Sequence, residues 1–566
     1  MQTATRPTPG DFTNATWSEI LPRFDALAEA PLDLTNLPSW LEAWSALEVA
    51  LAEAGSLASI AYTTDTTNPE FEAAYERFAG EIEPQAHEQR VRLSKRLLEF
   101  DYAPDDLKVT IRNFRNQQEI FRAENVPLQG ALQKLDAEYQ RITGGMTAEW
   151  DGKTLQLSQL KPFTQDPDRS VRERAYRLSF EPYIEQQAAI SGVFDQQLEL
   201  RQQIAKNAGF ANYRDYVFRE KNRFDYTPAD CETFHDAVAT KVVPALTRRH
   251  ERRRQLLGVD SVRPWDLSAD PLGRPGLKPY ASIEELVSGT VRILNRVDPV
   301  FGGYLETMNR EGLLDLDSRS GKAPGGYCSS LDYRQRPFIF MNGAGTQDDV
   351  ETLLHEAGHC IHAFEAYASQ PLTFSRYPGE EMAEVGSMAM ELLAAPYYDK
   401  AEGGFYSTED AKRARTDHLE SVLEGIAWIA TVDAFQHWIY THPEGTNAEA
   451  RDAEWRRVKA RFEPSVDWSG IDDLLVARWY RQLHIFLVPF YYIEYGLAQL
   501  GALQVWRNSL RDQQGATSAY RHALALGNTR TLPELYAAAG AKFSFDHETI
   551  GELVEMVEEH LAVLDA

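Results

Sequence analysis

Along most of this chain an apolar residue recurs every three or four positions, from Trp17 almost to the C-terminus, and that period predicts one amphipathic helix after another. Leu41 to Glu53, Pro69 to Leu98, Asp105 to Glu124 and Pro127 to Arg141 all carry it, with charged residues between the apolar ones and Pro22, Pro31, Pro38 and Pro69 as punctuation. Arg172 to Asn207, broken only by Pro182 and Gly192, reads as a long helical arm. The period lapses twice. Residues 144–157 alternate around Asp151-Gly152, the signal of a small hairpin. Between Leu313 and Asn342, short apolar runs flank a Gly-rich loop, Ser318 to Cys328, which predicts two or three short strands. The expected class is mainly α with a small β-sheet.

Directly after those strands comes Thr352-Leu353-Leu354-His355-Glu356-Ala357-Gly358-His359-Cys360-Ile361-His362, an H-E-x-x-H motif inside a helical pattern. Val350, Leu353, Leu354, Ala357, Ile361 and Phe364 supply the apolar face, and Thr346-Gln347-Asp348-Asp349 supplies a cap and acidic residues for the first turn. Residues four apart share a helix face, so His355 and His359 can both point a ring nitrogen at one metal ion. Glu356, about 100° further round, can stand beside the ion as a general base without ligating it. A catalytic zinc has three protein ligands and an open position, so a third is needed. Glu365 is near in sequence, but His362 and Phe364 continue the helix and would carry it about 9 Å along the axis beyond His359.

A second helix is the better source. Tyr377-Pro378-Gly379 signals a turn, and Glu380 to Leu393 follows with helical spacing. Glu380 and Glu381 fall in its first turn, where acidic residues suit the helix dipole. Glu384 differs: it lies among Met382, Ala383, Val385, Met388 and Ala389, with no basic residue within seven positions. A buried carboxylate there needs an unusual partner, and a metal would be one. Glu391 shares its face and could accept a hydrogen bond from a ligating histidine.

With Glu384 placed 25 residues after His359 (384 − 359), the run Asp349 to His359 resembles the oligoendopeptidase F and thimet oligopeptidase family of zinc metallopeptidases. The resemblance implies a two-lobed helical metallopeptidase with a deep substrate cleft, one zinc per chain on His355, His359 and Glu384, and Glu356 as the catalytic base. It marks Glu351, beside Glu391, as a partner of the ligating histidines. It also covers the hairpin, the entry Ile204 to Tyr213, Arg263-Pro264-Trp265-Asp266 and the late stretch His484 to Gly496, over roughly residues 110 to 560. In that stretch it implies that His484, Tyr491 and Tyr495 face the zinc and stabilise the oxyanion, with Tyr492 contacting substrate. The implied domains are 1–110, an N-terminal helical region; 111–200, a helical lobe with the hairpin; and 201–566, the catalytic domain.

The strands before the motif have a use of their own. Backbone N–H and C=O groups beside a zinc helix offer an extended peptide something to pair with, which makes Gly325, Gly326 and Tyr327 candidate substrate contacts. The loop lacks the spacing of a phosphate cradle.

Charge and composition narrow the partners. With 58 basic and 85 acidic residues the net charge is −27, which argues against nucleic acid or an anionic membrane. The basic cluster Arg248 to Arg254 spreads round a helix and reads as a solvated helix end near Gly258. Cys231, Cys328 and Cys360 are too few and too scattered for a disulfide framework or a structural zinc site, so a reducing cytoplasm fits. The N-terminus lacks an apolar signal core and no stretch is long enough to span a bilayer. The reading is a cytoplasmic zinc endopeptidase acting on short unfolded peptides. A metallocarboxypeptidase with the same zinc site and a non-catalytic helical peptide-binding protein are the alternatives. Cleavage preference, substrate length and oligomeric state are not encoded in any motif.

Overall fold

The computed structural model describes residues 6–566, and helices dominate it. Helix α1 (Leu37–Thr64) shows what the N-terminal period accomplishes: Trp40, Trp44, Leu47, Leu51, Ala54 and Ala58 form one buried stripe, joined by Phe12, Phe24, Ile82 and Leu93 in a single apolar cluster. Burying one such Trp removes roughly 150–250 Å² from water, on the order of 4–6 kcal/mol. Trp44 also packs on Phe374, ring centroids 4.6 Å apart, which ties this cluster to the segment between the motif helix and the helix after it.

The prolines that punctuate the helical pattern do not always end a helix. Phe78–Ile82 and Val238–Val242 are single widened π turns, each followed two residues later by a proline, Pro84 and Pro244. A proline has no N–H and crowds the carbonyl four residues back, and shifting to a wider turn lets the helix continue.

Five strands occur among the described residues: β1 (Thr147–Trp150), β2 (Lys153–Gln156), β3 (Leu314–Asp317), β4 (Tyr327–Leu331) and β5 (Arg336–Gly343). The first two form the expected hairpin, turning at Asp151 and Gly152, both with positive φ. The other three form a sheet in the order β3-β5-β4. The strand directly before the motif, β5, is therefore central and paired on both sides, parallel to β3 and antiparallel to β4. Both β3 and β4 are edge strands; β4, Tyr327–Leu331, is the one whose backbone reaches the motif helix, through the Cys328 N–H and Glu356.

The remaining helices needed below are α2 (Pro228–Ala237), α3 (Val243–Leu257), α4 (Gln347–Ser369), α5 (Glu380–Ala394), α6 (Thr408–Thr441), α7 (Leu483–Leu487), α8 (Tyr492–Ser509), α9 (Gln513–Ala525) and α10 (His547–Leu564). The chain forms two compact units, each assembled from three stretches. One comprises Met1–Glu119, Lys278–Arg415 and Ala498–Phe543; the other comprises Ile120–Leu277, Thr416–Leu497 and Ser544–Ala566.

In the second unit α3 ends at Gly258 in the left-handed conformation, as its sequence predicts. Arg248 and Arg252 stay exposed there, but Arg249 and Arg253 are drawn into the protein. Arg249 bonds Glu420 and Asp565, Arg253 bonds Glu420 and the carbonyl of Ala269, and Arg248 bonds Glu558, so the basic cluster joins α3 to α6 and α10. No helix among the described residues is long and apolar enough to cross a membrane.

Candidate active site

The motif helix is held at its start by a single carboxylate. Asp349 accepts hydrogen bonds from the backbone of Thr346 and Ala344, at 2.8 and 2.9 Å, and from the Tyr280 hydroxyl at 2.6 Å. Val350, Leu353, Leu354, Ala357 and Ile361 are each at most 2 % exposed and face the core, which leaves His355 and His359 on the open side, their side chains 25 % and 23 % exposed. The helix runs through His362 without a break. Glu365 is consequently engaged elsewhere, accepting from Arg521 at 2.7 Å and from the Tyr304 hydroxyl at 3.1 Å.

Helix α5 crosses α4 at glycines. A Cβ on Gly358 would lie 2.5 Å from the Gly386 carbonyl oxygen and 2.6 Å from the Ser387 Cα, so only hydrogen fits there. The Tyr520 hydroxyl on α9 donates to that same carbonyl at 2.7 Å. A glycine inside a helix costs about 1 kcal/mol relative to alanine, and the close approach it permits brings Glu384 over the two histidines. Glu384 Oε2 lies 3.4 Å from His355 Nε2 and 3.7 Å from His359 Nε2. One ligand atom from each of the three residues lies within 4.8 Å of the others.

The surrounding groups orient these donors. Glu391 Oε1 is 2.6 Å from His355 Nδ1, which turns Nε2 toward Glu384. Ser387 Oγ donates to Glu384 Oε2 at 2.8 Å. Glu351 accepts from Gln347 at 2.9 Å, one turn before His355. Glu356 is 7 % exposed; the backbone N–H of Cys328 on the edge strand donates to it, and its Oε2 is buried with no hydrogen-bond partner.

Electrostatics mark the site as a place for positive charge. Burial pushes the Glu356 carboxyl up to about 7, helped by the neighbouring charges of Glu384 and Glu391 and opposed by His355. Burial holds His359 down at about 4. Burial also acts against a charged His355, but the hydrogen bonds and charges of Glu384 and Glu391 outweigh it and raise that imidazole well above its ordinary range. Burial raises Glu384, and its hydrogen bond to His355 and the two imidazoles bring it below the usual value. Glu384 and Glu391 thus favour positive charge at His355. The donor set, two imidazole nitrogens and a carboxylate around an orphaned carboxylate oxygen, fits a zinc-type ion with room for one more ligand.

The late aromatic stretch belongs to the other unit and is not one helix. His484 is on the short helix α7, Tyr491 lies in the break, and Tyr492 and Tyr495 are on α8. Phe490 adopts a left-handed conformation with φ 63°, its N–H donating to Gln436 and its carbonyl accepting from Arg223. That turn gathers the three tyrosine rings round His484, with centroids 6.1, 4.8 and 6.2 Å away for Tyr491, Tyr492 and Tyr495.

Gly325, in the left-handed region with φ 99°, and Gly326 lead into β4. The Tyr327 side chain is occupied by the scaffold, its hydroxyl 2.6 Å from Thr63 and its ring stacked on Phe340. Sequence reasoning missed Ser387, the Cys328 amide and the Gly358–Gly386 contact. Of these only Gly358 left a signal, as a poor helix former at the centre of a helix.

An H-E-x-x-H helix crossed at a glycine contact by a second helix with a facing glutamate, in an otherwise helical chain, defines a metallopeptidase. The chain belongs to peptidase family M3, which its residues 163–554 match. Residues 10–112 match the Peptidase M3 N-terminal domain, so the family likeness reaches further toward the N-terminus than the motifs alone indicate. The chain is 23% identical over 441 residues to an oligoendopeptidase F homolog of Borreliella burgdorferi, covering 75% of this chain and 72% of that one. It is 23% identical to the oligopeptidase PepF of Bacillus subtilis, covering 70% of this chain and 58% of that one. The solved structure of PZ peptidase A with an inhibitor superposes with a TM-score of 0.89 at 26% identity, covering 97% of this chain and 98% of the other. The protein is accordingly a peptide-hydrolysing metalloendopeptidase.

Proposed function

We propose that this chain is a zinc-dependent oligopeptidase that cleaves internal bonds of short unfolded peptides, with His355, His359 and Glu384 as ligands and Glu356 as the base. The observation that carries the reading is the convergence of three zinc-type donor atoms within 4.8 Å beside the unpartnered Oε2 of Glu356. Zinc, when bound, supplies a Lewis acid that polarises the scissile carbonyl and makes water acidic enough to attack near neutral pH. Glu356 takes the proton of the attacking water and returns it to the leaving amine. Burial pushes this carboxyl up and a bound cation would bring it back down, which keeps it between the ranges needed for accepting and returning a proton. Glu391 holds His355 in the tautomer that presents Nε2.

For substrate capture we propose the edge of β4, entered through Gly325, Gly326 and Tyr327. An extended peptide adding to that edge lies beside Glu356, because the Cys328 amide already reaches its carboxylate. His484, Tyr491 and Tyr495 are proposed as oxyanion donors and Tyr492 as a substrate contact, on the strength of the family resemblance and their clustering round one ring. A cytoplasmic location is part of the same reading, supported by three free cysteines, of which Cys328 and Cys360 have sulfurs 3.5 Å apart without a disulfide.

The test is mass-spectrometric mapping of cleavage across a mixed peptide library, with and without a chelator, for the wild type and Glu356→Gln. Internal cleavage that the chelator abolishes, and that falls by several orders of magnitude in Glu356→Gln at unchanged zinc content, is expected. Release of single C-terminal residues would favour a carboxypeptidase, and full turnover in Glu356→Gln would remove Glu356 as the base.

A further inference from the structure

A second set of metal-type donors lies in the other unit, remote in sequence from the H-E-x-x-H motif. Cys231 and His235 are four apart on α2, and Asp433 and His437 are four apart on α6, so each helix turns two such side chains toward its neighbour. The two pairs lie some two hundred positions apart, so neither announces the other in the sequence. In the structure Cys231 and Asp433 are 0 % exposed and His437 is 5 % exposed. One ligand atom from each of these three lies within 4.8 Å of the other two.

Hydrogen bonds account for only part of their polar surface. His437 Nδ1 and Asp433 Oδ1 have no hydrogen-bond partner although both are buried. His437 Nε2 stands 3.3 Å from Asp433 Oδ2. Neighbouring ligand atoms of a tetrahedral zinc are about 3.4 Å apart when the bonds are about 2.1 Å long, so this separation suits a shared ion. His235 Nε2, 2.8 Å from Asp433 Oδ2, holds the carboxylate in place. Phe218 and Phe490 pack edge-on against the His437 ring, at 6.2 and 5.4 Å, and close the site to water.

We propose that Cys231, Asp433 and His437 bind a second divalent cation with the ligand preferences of zinc, which pins α2 to α6. Binding forms a bond from Cys231 Sγ to the ion and sends the thiol proton to solvent. The thiolate and carboxylate then carry two negative charges that the dication neutralises, which resolves how such groups occupy a dry core.

Cobalt distinguishes this site from the catalytic one, because only a cysteine ligand gives a thiolate-to-cobalt charge-transfer band in the near ultraviolet. Metal analysis and cobalt titration of the full chain are expected to give two equivalents and that band in the wild type. Glu384→Ala should keep one equivalent with the band, and Cys231→Ser should keep one equivalent without it, while Cys360→Ala keeps both. A wild-type chain that takes cobalt without a thiolate band overturns the proposal, and so does a band that survives in Cys231→Ser. The wild type and Glu384→Ala decide the matter even where Cys231→Ser does not fold. Two equivalents with the band intact in Glu384→Ala would instead count against Glu384 as a ligand of the catalytic ion.

Discussion

His355 meets a carboxylate on each side of its ring: Glu391 Oε1 lies 2.6 Å from Nδ1, and Glu384 Oε2 lies 3.4 Å from Nε2. The first contact decides which nitrogen is left for a metal. Glu391→Ala should therefore weaken zinc binding about 10–100-fold while leaving the three ligands intact. Chelator competition on the purified variant measures this, and unchanged affinity would reduce Glu391 to a packing role.

Two glutamates near the motif should behave in opposite ways. Glu384→Ala removes a donor and should lose most of the bound zinc. Glu365→Ala should keep the zinc and instead lose about 1–3 kcal/mol of stability, since it strips Arg521 and Tyr304 of their acceptor. Metal content and thermal unfolding of the pair check this; equal zinc in both variants would contradict the assignment.

The pH dependence of metal binding follows from the two imidazoles. In the metal-free chain His355 is raised well above 6.5 and His359 lies at about 4, so near neutrality only His355 carries a proton. A ligating imidazole must be neutral, so the ion displaces that proton, and affinity rises as pH rises until His355 has titrated. The expected slope of log affinity against pH is about one from above the His359 value of about 4 until pH passes the raised range of His355, with a further fraction below about 7 as the ion pulls down Glu356. A flat profile from competition titrations would show that His355 is already neutral.

The glycine contact gives a structural prediction. A methyl group at position 358 would meet the Gly386 carbonyl at 2.5 Å and must push α4 and α5 apart. Gly358→Ala should lower stability by about 1–3 kcal/mol despite the better helix propensity of alanine, and weaken zinc binding as Glu384 moves away. A gain in stability measured by denaturant unfolding would refute the close packing.

At the aromatic cluster, Tyr491→Phe or Tyr495→Phe keeps the ring and removes only the donor. If either hydroxyl stabilises the oxyanion, kcat should fall about 10²–10³-fold at an unchanged melting temperature. Normal turnover in both variants would return this stretch to a structural role.

Much of this could be read along the chain because its causes are local. Helical period, the cap at Thr346 and Asp349, the hairpin at Asp151-Gly152 and the helix end at Gly258 each depend on a few neighbouring residues. The H-E-x-x-H spacing is local too, as is the isolation of Glu384 from any nearby base. Other features depend on groups far apart in sequence. That β5 is central and β3 and β4 the edges follows from pairing across the sheet, which a short apolar run cannot announce. Arg249 and Arg253 read as solvated because their carboxylates are 167 to 316 positions away. Gly358 acquires its meaning only where Gly386 meets it, and Cys231 acquires neighbours only when α2 lies beside α6. The sequence by itself thus determined the helices and the chemistry carried on one helix face. Tertiary packing decided which distant carboxylates, amides and thiols share a low-dielectric space, because burial and long-range contact, not spacing along the chain, set their partners and their charge.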